Sequence, residues 1–397
     1  MLKKLALLLL MPNLIAAQCC NLEFVERITT TSTGLNSVVF SFDGSCLVAG
    51  FTTSNLIRGF SVGADCSLAT AAPDLSFAPN QLFAIAASPT DNCFVVVGQD
   101  TTLPNPVGII LPFRLENCVP IFNQLTPISS TVRPSTAAAF SPDGDCLVVG
   151  GQNNILAGVA TTFSVGSNMA GNCTFTLVGP TVTTHTAGPF SPPKQFAFLP
   201  INGNTSCLFL VSQNSSTTTA QLVVDISDCS ISLSGLNLDG NNIAASSIGC
   251  LAQSSPSSNR IDIYSPNNNC GVGALIENIA ITNPQSVAFS ADSSCLAIGN
   301  VDDMGNGQIT LYGIDTATCE PTAMPLQTIA TGSASIPSFL AFSANGCLAV
   351  GNADNSITMF RLSTIPTLTN IVATNNCGTV TVSGHTELEI LLKSGMV

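Results

Sequence analysis

The sequence predicts an all-β fold, a seven-bladed β-propeller with intra-blade disulfides in which the N-terminal strand closes the last blade. Three observations carry this. A strand-turn-Cys-strand segment recurs seven times, each copy leads into further strand-length apolar runs, and the cysteines keep the phase of the repeat.

The clearest copies run Val38 to Gly50 around Cys46, Ile85 to Gly98 around Cys93 and Phe140 to Gly150 around Cys146. Val287 to Gly299 around Cys295 and Leu340 to Gly351 around Cys347 match them. A looser copy surrounds Cys207 and a shortened one Cys250. In each, a small turn such as Ser141-Pro142-Asp143-Gly144 separates two apolar strands, with Asp and Gly supplying the turn conformations. Third strands follow at Ile57 to Val62, Gly108 to Leu115, Ala160 to Val165, Ile261 to Tyr264, Ile309 to Tyr312 and Ile357 to Leu362. A second Cys then opens an outer strand: Cys66, Cys118, Cys173, Cys229, Cys270 and Cys319. Blade seven has none after its third strand. Cys20-Asn21-Leu22 instead looks like Cys66-Ser67-Leu68, so residues 20 to about 29 supply its outer strand.

Composition agrees. Hydrophobic residues are 45% and charged residues 8% of the 397, against about 25% charged in an ordinary domain, which leaves little for long exposed helices. Net charge is −13 with ten Lys and Arg, and no basic cluster exists to neutralise phosphates, so nucleic acid is not a partner. Lys3 and Lys4, the apolar run Leu5 to Met11 and Ile15-Ala16-Ala17 form a signal peptide over residues 1–17, and no later stretch is long enough for a transmembrane span. The propeller then covers 18–369 and a tail 370–397 departs from the repeat. Sixteen cysteines in a secreted or extracytoplasmic chain read as a disulfide framework.

The Phe140 to Gly144 motif Phe-Ser-Pro-Asp-Gly, its variants and the following Leu-Val-Val-Gly resemble the inner hairpin of the WD40 repeat family, over nearly all of the mature chain. The resemblance implies a propeller scaffold. The chain departs from it in having no Trp and only two histidines, His185 and His385, so the family's Asp-His-Ser-Trp network has no counterpart.

Disulfides are expected to replace that lock, one per blade: Cys46–Cys66, Cys93–Cys118, Cys146–Cys173, Cys207–Cys229, Cys250–Cys270 and Cys295–Cys319. Cys20–Cys347 would close the ring, with Cys19 and Cys377 left for an eighth bond. Each intra-blade loop of roughly 20–30 residues contributes about 3 kcal/mol in the chain-entropy model. Against this stands geometry: strands flanking a third lie about 10 Å apart, whereas a disulfide wants Cα atoms within about 7 Å. A rival scheme joins each outer-strand Cys to the next repeat, for instance Cys66–Cys93.

Chemistry is sparse. Two isolated histidines make no metal cluster, no nucleophile elbow or phosphate loop appears, and no catalytic residue or cofactor is assigned. Asp302-Asp303-Met304-Gly305-Asn306-Gly307 has oxygen ligands on a Gly-rich turn, but Asp100 and Asp354 occupy similar loops, which favours a structural hairpin. Asn172, Asn204 and Asn214 sit in glycosylation sequons. The function expected is a monomeric interaction scaffold holding a protein or glycan on loops of one face. The alternatives are a propeller enzyme of lactonase or hydrolase type and a structural surface component.

Overall fold

The computed structural model describes residues 20–77, 80–102, 107–122, 128–129, 132–153, 157–167, 172–179, 181–185, 193–200, 205–212, 219–238, 240–265, 273–332, 335–363, 372–376 and 379–383. The expected signal peptide, Cys19, Cys270, Cys377, Asn204, Asn214 and His385 lie outside them. The chain forms two compact units, residues 1–363 and 364–397. The second has one described hairpin, Val372–Asn376 with Thr379–Ser383.

The first unit is a propeller of seven antiparallel sheets. Blade 1 runs Leu35–Phe40, Cys46–Phe51, Leu56–Val62 and Leu68–Ser76 from the axis outward. The innermost strands of blades 2 to 7 are Gln81–Ala87, Ser135–Phe140, Pro193–Pro200, Asn242–Ala245, Pro284–Phe289 and Pro337–Phe342. In blades 2 and 3 the outer strand is split in two segments on the third strand. Blade 7 is completed by Asn21–Thr29, antiparallel to Ser356–Ser363, as the repeat phase predicts.

Second strands sit between two neighbouring blades, so both of their faces are covered. Every residue of Cys46–Phe51, Cys146–Gln152, Cys295–Val301 and Cys347–Asn352 is buried. Alternate side chains feed different cores: Leu47, Ala49 and Phe51 pack towards blade 7, while Val48 packs towards blade 2. Seven apolar clusters result, one at each blade–blade interface.

The inner hairpin holds itself with a serine. Ser41 Oγ donates to Asp43 Oδ1 at 2.6 Å and accepts from the Cys46 N–H at 3.0 Å. Ser290, Asp292 and Cys295 repeat this arrangement at 2.6 and 3.0 Å, and Ser141, Asp143 and Cys146 repeat it as well. In blades 5 and 7, Ser246 and Ser343 hold the N–H of Cys250 and Cys347.

The disulfides do not follow the intra-blade scheme. They are Cys46–Cys118, Cys93–Cys173, Cys146–Cys229, Cys250–Cys319, Cys20–Cys295 and Cys66–Cys347, with Cα–Cα distances from 5.3 to 5.9 Å. Each joins the Cys opening one blade's second strand to the outer-strand Cys of the following blade. Cys207 is also disulfide-bonded. The expected pairs Cys46–Cys66, Cys93–Cys118, Cys146–Cys173, Cys207–Cys229, Cys250–Cys270, Cys295–Cys319 and Cys20–Cys347 are therefore corrected, and the rival Cys66–Cys93 runs in the wrong direction.

The reason is the separation already noted within a sheet, together with a backbone turn. Cys66, Cys118, Cys229 and Cys319 have φ of 66°, 63°, 56° and 63°. This left-handed conformation costs a non-glycine residue about 1–2 kcal/mol. It carries the thiol out of its own sheet and onto the second strand of the preceding blade. All six bonds lie where first strands turn into second and third into outer strands. This end of the propeller is called here the turn face, and the opposite end the loop face.

Candidate binding site at the axial cavity

A cavity of about 920 Å³ runs along the propeller axis, lined by innermost strands of all seven blades. That volume lies within the range of small-molecule sites. Its walls are mostly Val, Ala, Ile and Phe, with polar side chains Asn36, Thr136, Gln152, Lys194, Gln195 and Asn242.

The polar groups gather at the loop face because the inner strands bulge there. Six of the seven shift register near their start, placing one extra residue at Asn36, Phe83, Thr136, Lys194, Gln285 and Ser338. A bulge re-aims side chains, and none of these six residues is buried. Blade 5 offers Asn241 just before its first strand.

Neighbouring inner strands are tied by side chains from this level. Gln195 Oε1 accepts from the Ile243 N–H at 3.1 Å, and Asn242 Oδ1 from the Val287 N–H at 3.1 Å. Ser286 Oγ donates to the Pro337 carbonyl at 2.8 Å, and Asn36 Nδ2 to the Phe83 carbonyl. With its oxygen engaged by a backbone donor, each of Gln195 and Asn242 keeps an amide nitrogen for another partner.

Lys194 is the one charged residue among the described residues of the lining. Its Nζ donates to Asn241 Oδ1 at 2.9 Å. The protein around the channel holds its ammonium below the ordinary lysine value, through desolvation alone. Arg27, Arg58, Arg114, Arg260 and Arg361 all have carboxylate partners; Lys194 and Arg133 have none among the described residues. Gln152, which ends the second strand of blade 3, is 7% exposed and its Nε2 has no hydrogen-bond partner among the described residues.

Sequence reading missed both residues. The available signal was Lys194 itself, a solitary lysine between Lys4 and Lys393, at the point of the repeat where other copies hold Asn36, Thr136, Gln285 or Ser338.

The residues singled out earlier lie elsewhere. His185 ends an outer-strand segment of blade 3, opposite Gly158. Asp302 folds its own loop: Oδ1 accepts from the Met304 and Asn306 N–H groups at 2.9 and 2.8 Å, and Oδ2 from Asn306 Nδ2 at 3.1 Å. Asp100 and Asp354 likewise accept from Thr102 and Ser356 two residues on. These are turn carboxylates with their lone pairs engaged. Asn172 accepts from Arg114. Among the described residues, no group of three or more His, Cys, Asp or Glu could hold a metal. Among the described residues, no Asp, Glu or His lines the cavity.

No protein-family model matches the chain, and no curated protein matches it. Among solved structures, one of Kuenenia stuttgartiensis hydrazine synthase is similar, with a TM-score of 0.59 and 13% identity, over 85% of this chain and 98% of that one. At that identity the likeness is one of fold.

Proposed function

We propose that the chain is an exported binding scaffold that holds a glycan or protein partner on its loop face, around the mouth of the axial cavity. The contrast between the two faces carries this reading. The turn face is closed by tight turns and cross-linked from blade to blade. The loop face presents half-exposed bulge side chains around an open cavity on a rigid frame, the arrangement in which binding residues are commonly found. The basic and apolar N-terminal segment and the many disulfides support export, since such bonds persist in oxidising compartments.

Screening the folded protein against a glycan array and a peptide library tests the reading. Thr136→Trp, which fills the mouth, is expected to abolish binding of the hits. Ala64→Trp, on an exposed turn of the opposite face, is expected to leave it intact. Hits that survive Thr136→Trp and vanish with Ala64→Trp would move the site to the other end of the propeller.

A further inference from the structure

We propose that the loop-face mouth of the axial cavity is a carboxylate-binding site, with Lys194 and Gln152 supplying its donors and the apolar inner strands receiving the body of the ligand. This rests on the reading of the mouth as the binding face and adds the chemical class.

The first argument is an imbalance of donors. Among the described residues the lining holds one ammonium and several amides but no Asp or Glu. Gln195 and Asn242 already use their oxygens on backbone N–H groups, which leaves nitrogen donors. The second is Gln152. The residue is more than nine-tenths buried in the wall of this cavity, and its amide nitrogen has no hydrogen-bond partner among the described residues. A buried donor without an acceptor is destabilising, a penalty removed once the amide turns to meet an acceptor in the cavity. The third is placement. Gln152 ends the second strand of blade 3 and Lys194 is the bulge residue of the first strand of blade 4. They belong to adjacent blades, line the same cavity and sit at the same end of it.

The charge count selects the anion. One cation matches a monoanion. Phosphoryl groups are commonly met by arginine forks or helix N-termini, and neither occurs among the described lining residues. The lowered ammonium of Lys194 is consistent, because the described residues around it offer no counter-charge and leave that role to a ligand. Phe83, Phe196 and Phe339 add apolar surface for the rest of the molecule.

Carboxylates of two origins fit, those of sugar acids and those of aliphatic acids. Titration calorimetry on the oxidised full chain would use glucuronate and octanoate as probes, with glucose and octanamide as their uncharged counterparts. At least one acid is expected to bind ten-fold or more tighter than its neutral partner, and which one identifies the source. Lys194→Met is expected to remove that preference, Lys194→Arg to retain most of it, and Gln152→Leu to weaken the acid several-fold. Thr136→Trp should abolish binding. Equal affinity for acid and neutral probe, or an acid preference unchanged in Lys194→Met, overturns the carboxylate assignment. If the neutral probes bind and Thr136→Trp removes them, the mouth remains a binding site without this specificity. Binding untouched by Thr136→Trp, or absent for every probe, overturns the assignment, and the former also overturns the choice of face.

Discussion

Single side chains fix the turns on which the propeller is built. Ser141 is fully buried, donating to Asp143 and accepting from the Cys146 N–H at 2.9 Å. Ser141→Ala strands that N–H, so a loss of about 1–3 kcal/mol is expected, measurable as a lower urea midpoint at unchanged slope. Gly59 is constrained from outside its blade: a Cβ there would overlap the carbonyl oxygen of Cys118 in blade 2. Gly59→Ala should therefore disturb the first blade interface although its own strand would accept alanine. The turn aspartates give the stability a pH dependence. Asp43 lies below its ordinary value of 3.8, chiefly because Ser41 donates to it, with burial opposing and Ser45 assisting. Asp65, Asp100, Asp228 and Asp302 are lowered by similar turn hydrogen bonds. A folded value below the unfolded one means a contribution fully present above about pH 4 and lost as pH falls through the folded values. Urea midpoints should fall below pH 4, and less steeply in Asp43→Asn; an identical acid profile in that variant would remove Asp43 from the account. The Ser-Asp-Gly turns could be read from sequence because the interaction is local. Lys194 and Gln152 could not, because their importance comes from seven strands converging on an axis.

At the scale of strands, cysteine phase revealed the elements but not their partners. Periodicity located Leu56–Val62 and Arg260–Tyr264 to within a residue, since strand burial alternates along the chain itself. Pairing depends on which sheet a thiol faces; a left-handed turn accompanies it at Cys66, Cys118, Cys229 and Cys319, while Cys173 makes the same kind of bond without one, and no spacing encodes either. The observed bonds also enclose longer loops. Sequence separations between sequential neighbours run from 69 to 83, for which chain entropy gives about 4–5 kcal/mol each instead of about 3. The rule joining each second-strand Cys to the outer strand of the next blade assigns Cys207 to Cys270. Non-reducing peptide mapping should recover that pair with the other six; a Cys207–Cys229 peptide would restore the intra-blade scheme for blade 4. Replacing both Cys46 and Cys118 by Ser should lower stability by about 2–4 kcal/mol and loosen the interface between blades 1 and 2 in hydrogen exchange before the others.

For the whole ring, the interface between blades 7 and 1 is unlike the rest. Elsewhere the peptide chain carries one complete blade into the next. Here the chain enters blade 1 from Asn21–Thr29, which is held to Ser356–Ser363 by strand pairing. Cys20–Cys295 fastens that strand to blade 6, and Cys66–Cys347 ties blade 1 directly to blade 7. The latter converts residues 66 to 347, 281 apart in sequence, into one covalent circle. Chain entropy grows only with the logarithm of loop length, so losing this bond should cost roughly 1 kcal/mol more at equilibrium than losing one between sequential neighbours. The kinetic consequence should be larger. Without Cys66–Cys347 the interface of blades 7 and 1 is held by strand pairing and by the tether through Cys20–Cys295, whereas every other interface also has a direct peptide connection from one blade to the next. Replacing both Cys66 and Cys347 by Ser is therefore expected to accelerate unfolding and expose residues 30–34 to protease more than the Cys46 and Cys118 double replacement does. Rates read by pulse proteolysis separate the two. Equal acceleration in both variants would mean that the propeller opens at any interface alike and that the N-terminal strand is no seam.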